Sequence, residues 1–135
     1  MFSSQTDNWS TPKYFFDLLN SEFCFSLDPY CTHENAKCKK HYTKEDDGLK
    51  HSWAGEVVFC NPPYGRDIGK WVRKGYEESL NGALVVMLLP ARTDTRWFHE
   101  YIYHKAKEIR FIKGRLKFGN SANSAPFPSM VVVYD

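Results

Sequence analysis

Eight consecutive apolar residues, Ala83-Leu84-Val85-Val86-Met87-Leu88-Leu89-Pro90, constrain this chain more than any other feature. The run shows no polar alternation, so Ala83 to Leu89 reads as a strand buried on both faces. It is far shorter than the roughly 20 residues that cross a bilayer. A strand of this kind needs a covering layer on each side of its sheet. Asp67 to Leu80 provides one candidate, a helix with Ile68, Trp71, Val72, Tyr76 and Leu80 along one side and Asn81-Gly82 at its end. Asp94 to Lys105 provides another, with Trp97, Phe98, Tyr101 and Ile102 inward. Glu56 to Cys60 is a second strand. Strands alternating with helices predict an α/β fold around a mostly parallel sheet. At 135 residues, one domain over 1–135 is expected. With 42% hydrophobic and 25% charged residues, a disordered tail, a collagen-like chain and a coiled coil are excluded.

The remaining segments are shorter. Thr11 is placed to cap a first helix with Pro12 in its first turn, and Phe15, Leu18 and Leu19 form its apolar face. Phe23 to Leu27 reads as a strand ending at Asp28-Pro29. Tyr30 to Lys44 reads as a loop with a short helix over Asn35 to Lys39. Glu108 to Ile112, Arg115 to Phe118 and Met130 to Tyr134 read as strands. The last two or three have no room for a helix between them and should pair antiparallel. Gly119 to Pro128 is a loop, either a lid or a long turn.

Met1 to Trp9 is polar and lacks a secretory pattern, so a cytoplasmic protein without a membrane anchor is the expectation. Cys24, Cys31, Cys38 and Cys60 are then free thiols or metal ligands rather than disulfides. Cys31, His33, Cys38 and His41 follow a C-x-H-x4-C-x2-H spacing that matches no familiar zinc pattern, and no metal is expected. Net charge is only +2, but residues 86–135 carry eight Lys/Arg against four Asp/Glu. Arg92 and Arg96 follow the most buried strand. They either grip phosphates or a nucleotide, or lie in a loop where Asp94 caps the next helix. Arg110, Lys113, Arg115 and Lys117 form a basic strip, either a DNA-backbone track or a solvated face.

The chemistry is concentrated in Asn61-Pro62-Pro63-Tyr64, directly after the strand ending at Cys60. In open α/β sheets, ligands bind beyond the carboxyl ends of the strands. The prolines fix the backbone and remove two N–H donors. What remains is a pair of acceptors, the Asn61 side-chain oxygen and the Pro62 carbonyl, beside the flat ring of Tyr64. That set suits a planar amine such as N6 of adenine, a poor nucleophile whose lone pair is delocalised. Two acceptors favour the pyramidal nitrogen, and Tyr64 can stack on the ring. A base in duplex DNA must first be flipped out. A merely rigid connector would need only the prolines, whereas the buried strand before and the helix after favour a site.

Taken in order and spacing, Trp9-Ser10-Thr11-Pro12, Leu27-Asp28-Pro29, Glu34-Asn35-Ala36-Lys37, Asp46-Asp47-Gly48-Leu49, Cys60-Asn61-Pro62-Pro63-Tyr64-Gly65, Leu89-Pro90-Ala91-Arg92-Thr93-Asp94-Thr95 and Gly114-Arg115-Leu116-Lys117-Phe118 carry a resemblance. The chain resembles the bacteriophage-encoded DNA N6-adenine methyltransferases, S-adenosylmethionine-dependent enzymes, from roughly Trp9 to Tyr134. The resemblance implies a reduced Rossmann-like class I methyltransferase fold, a catalytic loop at Asn61, Pro62, Pro63 and Tyr64, and S-adenosylmethionine as cofactor. It also implies cofactor contacts from Trp9, Thr11, Pro12, Asp28, Pro29 and Asn61, and from Asp47, or less so Asp46, toward the adenine amino group or ribose. Double-stranded DNA is the implied partner, with Arg92, Arg96, Arg115 and Lys117 as candidate contacts. Pro29-Tyr30-Cys31-Thr32-His33 lacks the glycine-rich turn of larger relatives. No insert is large enough for a target-recognition domain, so sequence choice falls to loops or to a second copy in a homodimer. Cytosine N4, a protein glutamine, or a catalytically inactive DNA-binding or decoy role are the alternatives.

Overall fold

The apolar run becomes the second strand of a four-stranded sheet in a computed structural model that describes residues 9–118 and 125–135. The strands are β1 (Val57–Cys60), β2 (Leu84–Pro90), β3 (Glu108–Phe111) and β4 (Ser129–Tyr134), in spatial order β1-β2-β4-β3. Among the described residues three α-helices, α1 (Lys13–Phe23), α2 (Ile68–Leu80) and α3 (Arg96–Tyr101), and a 3-10 turn at Gly48–Lys50 accompany them. β2 is buried from Val85 to Pro90 because it has a strand on each edge and cover on each face. On one face, α2 approaches so closely at Gly75 that an added Cβ would lie 2.8 Å from Met87 Sδ. On the other, Phe16 of α1 sets its ring 5.1 Å from that of Phe59.

The sheet is mixed rather than mostly parallel. β1 and β2 run parallel, while β4 is antiparallel to both β2 and β3. The antiparallel pairing of β3 with β4 agrees with the short connection read from the sequence. Beyond β1 the parallel side continues as isolated bridges, Leu27 with Val58 and Asp28 with His41.

The expected strand Phe23 to Leu27 shrinks to these bridges because α1 continues to Phe23. Cys24 then turns left-handed (φ 57), and Asn20 Oδ1 accepts the Phe25 N–H at 2.8 Å. Thr11 does not cap α1, and Leu18 and Leu80 are exposed, their places on the buried faces taken by Phe16 and by Gly75 and Glu78. No helix forms over Asn35 to Lys39. α3 is shorter than expected and is capped by Thr95, not Asp94, whose neighbour accepts the Phe98 N–H through Oγ1 at 3.3 Å. It stops early because the Tyr103 N–H returns to the Phe98 carbonyl and His104 turns left-handed (φ 65). Arg115 to Phe118 is not a strand, yet Leu116 and Phe118 are buried while Arg115 and Lys117 are exposed. Residues 1–8 of the polar start and 119–124 of the expected loop lie outside the described residues. No helix among the described residues is long and apolar enough to cross a membrane.

The glycine missing after Asp28 has a counterpart in space. Gly48 packs so tightly on the turn at Pro29 that a Cβ there would fall 2.2 Å from the Pro29 carbonyl oxygen. The Gly48 carbonyl also accepts the Trp53 indole N–H at 3.0 Å. Backbone cannot move aside as a side-chain tip can, so Gly48→Ala should destabilise the fold by about 1–3 kcal/mol. Denaturant unfolding of the variant checks this.

Candidate active site

A cleft of about 450 Å³ opens at the carboxyl end of β1 and is lined by Trp9, Thr11, Asp28, Tyr30, Glu45 and Asn61 among others. Its volume lies within the range of ordinary small-molecule sites. Three separate segments meet there: the lead into α1, the Asp28 turn with the excursion that follows it, and the turn after β1. Of the residues expected to hold a cofactor, Trp9, Thr11, Asp28 and Asn61 line this cleft. Pro12 instead starts α1, its carbonyl accepting from the Phe15 and Phe16 N–H groups. Pro29 forms the seat for Gly48.

Asn61 is the best-defined group in the cleft. Its Nδ2 donates to the Trp9 carbonyl and to Thr11 Oγ1, the latter at 2.9 Å. A carbonyl can only accept, so the contact with Trp9 fixes which end of the amide is nitrogen. The oxygen, Oδ1, is thereby turned away. It is buried and has no hydrogen-bond partner among the described residues. A buried acceptor without a donor is costly, on the order of 1–3 kcal/mol, and a ligand N–H would satisfy it.

Asp28 is 3% exposed at the end of its bridge with His41. Its carboxylate accepts the Lys37 N–H at 2.9 Å and the Tyr30 N–H at 3.4 Å. Burial pushes its pKa from an ordinary 3.8 up to about 6, and those backbone donors only partly oppose the shift. Nearby, His33 Nδ1 lies 2.9 Å from His41 Nε2. His41 Nδ1 faces the carbonyls of Cys38 and Lys39, which can only accept, so it donates there while Nε2 faces His33. Among the described residues no group of three or more His, Cys, Asp or Glu is placed to hold a metal. Cys31 donates to the carbonyls of Asp28 and Tyr42, and burial pushes both its thiol and that of Cys38 up to about 12.

The acidic positions fall differently from the sequence expectation. Asp47 turns left-handed (φ 57), accepts the Leu49 N–H at 3.1 Å and lines a second cleft with Pro63, Asp67 and Trp71. Asp46 is engaged by Thr43, whose N–H and Oγ1 both donate to Oδ2, and these bonds lower its pKa. Besides Asp28, the acids that reach the Asn61 cleft are Glu34 and Glu45. Glu45 follows the His41 bridge, so it stands just past the chain segment next to Asp28 in the sheet. Residues 41–43 carry no strand pattern of their own, and only the pairing with Asp28 reveals the position.

Tyr64 is 3% exposed, and its Oη donates to the Leu88 carbonyl at 2.8 Å. Its ring meets Phe127 and Phe118 edge-on at 5.5 and 6.4 Å, and Trp9 meets the same two at 5.3 and 5.6 Å. These four rings make one aromatic cluster beside Asn61. Arg92 lies over Phe127, 5.9 Å from its centroid, and Arg115 donates to the Ala125 carbonyl at 3.5 Å. Arg96 is exposed and pairs with Glu100 at 3.5 Å, and Lys117 is exposed. Arg110 is withdrawn from the basic strip, because Glu22 and Glu108 both hold its guanidinium.

Folded Asp28 keeps its proton to a higher pH than the unfolded chain does. Its contribution is most favourable below about pH 4 and declines as pH rises toward about 6, then stays level. The total decline is on the order of 3 kcal/mol. Asp28→Asn should remove this component, so the difference between the two stability curves should grow across that window. Urea unfolding of both proteins at a series of pH values measures it.

Comparison with known proteins gives this arrangement its context. Residues 1–133 match the family described as DNA N-6-adenine-methyltransferase (Dam). A DNA N-6-adenine-methyltransferase of Haemophilus phage HP1 is 31% identical over 98% of this chain and 80% of its own length. One from Escherichia phage T1 is 37% identical over 82% of this chain, which spans 46% of the length of that relative. The chain belongs to the DNA N-6-adenine-methyltransferase (Dam) family.

Proposed function

We propose that this chain, as a single Rossmann-like domain, transfers a methyl group from S-adenosylmethionine to the N6 amino group of an adenine flipped out of double-stranded DNA. The observation that carries this reading is Asn61: a clamped amide whose buried oxygen lacks a donor, beside a cleft of cofactor size. The residues present fit the cofactor. Trp9, Thr11, Asp28 and Asn61 would hold it, and Glu45 takes the part expected of Asp47, toward the adenine amino group or the ribose. Asp28, once ionised, suits a ligand that carries positive charge.

When bound, S-adenosylmethionine would supply an electrophilic methyl group on a cationic sulfur that serves as the leaving group. Asn61 Oδ1 accepts one N–H of the amine and the Pro62 carbonyl the other, which draws the nitrogen lone pair out of the aromatic ring. Holding the nitrogen in line contributes much of the rate. The methylated amine is acidic and releases its proton without a strong base from the protein. Tyr64, with Phe118 and Phe127, forms the wall for the extruded ring, and the bond from Tyr64 Oη to Leu88 fixes the plane of that wall. Arg92, Arg115 and Lys117 border the same wall and suit phosphate contacts, with Arg96 further along.

Incubation with duplex DNA and methyl-labelled cofactor, followed by mass spectrometry of the nucleosides, should yield N6-methyladenine. N4-methylcytosine would overturn the choice of base, and cofactor binding with no methylated product would favour a non-catalytic DNA-binding module. Asn61→Ala should lower kcat by about 100-fold or more, as expected for loss of one preorganised polar contact to the reacting group. Thr11→Val keeps the reacting oxygen but loosens its clamp, and should cost about tenfold. Tyr64→Phe should lose about 1 kcal/mol of stability with the bond to Leu88 while keeping turnover within about threefold. Thermal melts and initial rates separate the two effects.

A further inference from the structure

The segment Glu34-Asn35-Ala36-Lys37, one of those that carry the family resemblance, has no part in the methyl transfer described above. It lies in an excursion whose two ends are held by one carboxylate. Asp28 accepts the Tyr30 N–H through Oδ1 and the Lys37 N–H through Oδ2. Residues 30–37 therefore form a loop closed at its base. Near the tip, Thr32 and Asn35 bind each other twice. Asn35 Oδ1 accepts the Thr32 N–H at 2.7 Å, and the Asn35 N–H donates to Thr32 Oγ1 at 3.2 Å. The first bond fixes which end of the Asn35 amide is oxygen. The other end, Nδ2, donates across to Ser10 Oγ at 3.3 Å.

That bond joins two segments that line the Asn61 cleft, with Ser10 on one and Thr32 and Asn35 on the other. The lead into α1 is thus held at two depths. Thr11 is 5% exposed and accepts from Asn61, whereas the next residue back, Ser10, is exposed and accepts from Asn35. The Asn61 bonds sit at the floor of the cleft and the Asn35 bond at its mouth. A neutral hydrogen bond open to water has a small net worth, so it breaks and re-forms readily. The loop stays attached to Asp28 when it does. Such a bond suits a cleft that must take in a cofactor and release the demethylated product at every turnover.

Taking the cleft as the cofactor site of an adenine methyltransferase, we infer that Asn35 is a positioning residue whose bond to Ser10 fastens the mouth of the cleft over S-adenosylmethionine. It acts through Ser10 and touches no reacting atom. Thr32 sets the aim of the amide, so the donor is already directed at Ser10 before the mouth closes. The cofactor leaves while the bond is open, and a bond that is closed most of the time slows departure in proportion. For one exposed neutral hydrogen bond the slowing is about fivefold.

The full chain, without DNA, is loaded with methyl-labelled S-adenosylmethionine and mixed with excess unlabelled cofactor, and the loss of bound label is timed. Ser10→Ala removes only the receiving oxygen and should speed release about fivefold. Ser10→Thr keeps the hydroxyl and should release near the wild-type rate. Asn35→Ala also loosens the tip of the loop and should release at least fivefold faster, and adding Ser10→Ala to it should change nothing further. Release from Ser10→Ala at the wild-type rate, equal release from Ser10→Ala and Ser10→Thr, or a full effect of Ser10→Ala on top of Asn35→Ala overturns the role of Asn35 alone. A wild type that retains no label overturns the cofactor site on which that role rests, and the role with it.

Discussion

The clamp on the Asn61 amide is the interaction on which the rest of the site depends. It joins the segment before α1 to the turn after β1, since the Trp9 carbonyl and Thr11 Oγ1 both take their hydrogen bond from Nδ2. Those two acceptors leave the oxygen only one orientation, buried and without a partner among the described residues. Prolines on the carboxyl side of Asn61 keep the backbone from supplying N–H donors that would quench it. The amide is thus preorganised by bonds made within the protein, and little reorganisation would be left for the transfer we propose there.

Electrostatics divides the molecule between structure and site. Arg110 looks from the sequence like part of a basic track, but two carboxylates from α1 and β3 hold it, and it serves to tie those elements together. Arg92 and Arg115 are held by an aromatic face and a single carbonyl, which leaves their charge available beside the aromatic cluster. Asp28 is the reverse case. Its burial works against the ionised form, and a fold selected only for stability would have little use for a carboxyl group there.

Much of the scaffold was legible because its signals are local. The unbroken run at Ala83 to Leu89, the helical spacing from Ile68 to Tyr76 and the stop at Asn81-Gly82 each report a burial pattern that neighbours in sequence impose on one another. The motif Asn61-Pro62-Pro63-Tyr64 was legible for a similar reason, since two prolines and an amide restrict the backbone wherever they occur. Expectation and placement differ where partners are distant. Asp47 and Glu45 are separated by two residues, yet the bridge between Asp28 and His41 sends Glu45 to the Asn61 cleft and leaves Asp47 on another. Thr11 has the composition of a helix cap, but Asn61, fifty residues away, uses its hydroxyl.

The sequence by itself determined which segments must be buried, where the backbone is rigid and which side chains carry acceptor chemistry, because these follow from residue type and short-range spacing. Tertiary structure alone decided that Gly48 closes against Pro29, that Glu45 rather than Asp47 reaches the cleft, and that Tyr64 stands within a four-ring cluster. It also joined Asn35 to Ser10 across the mouth of the cleft. Such placements depend on strand register and on contacts between residues tens of positions apart, and no local pattern of side chains encodes them.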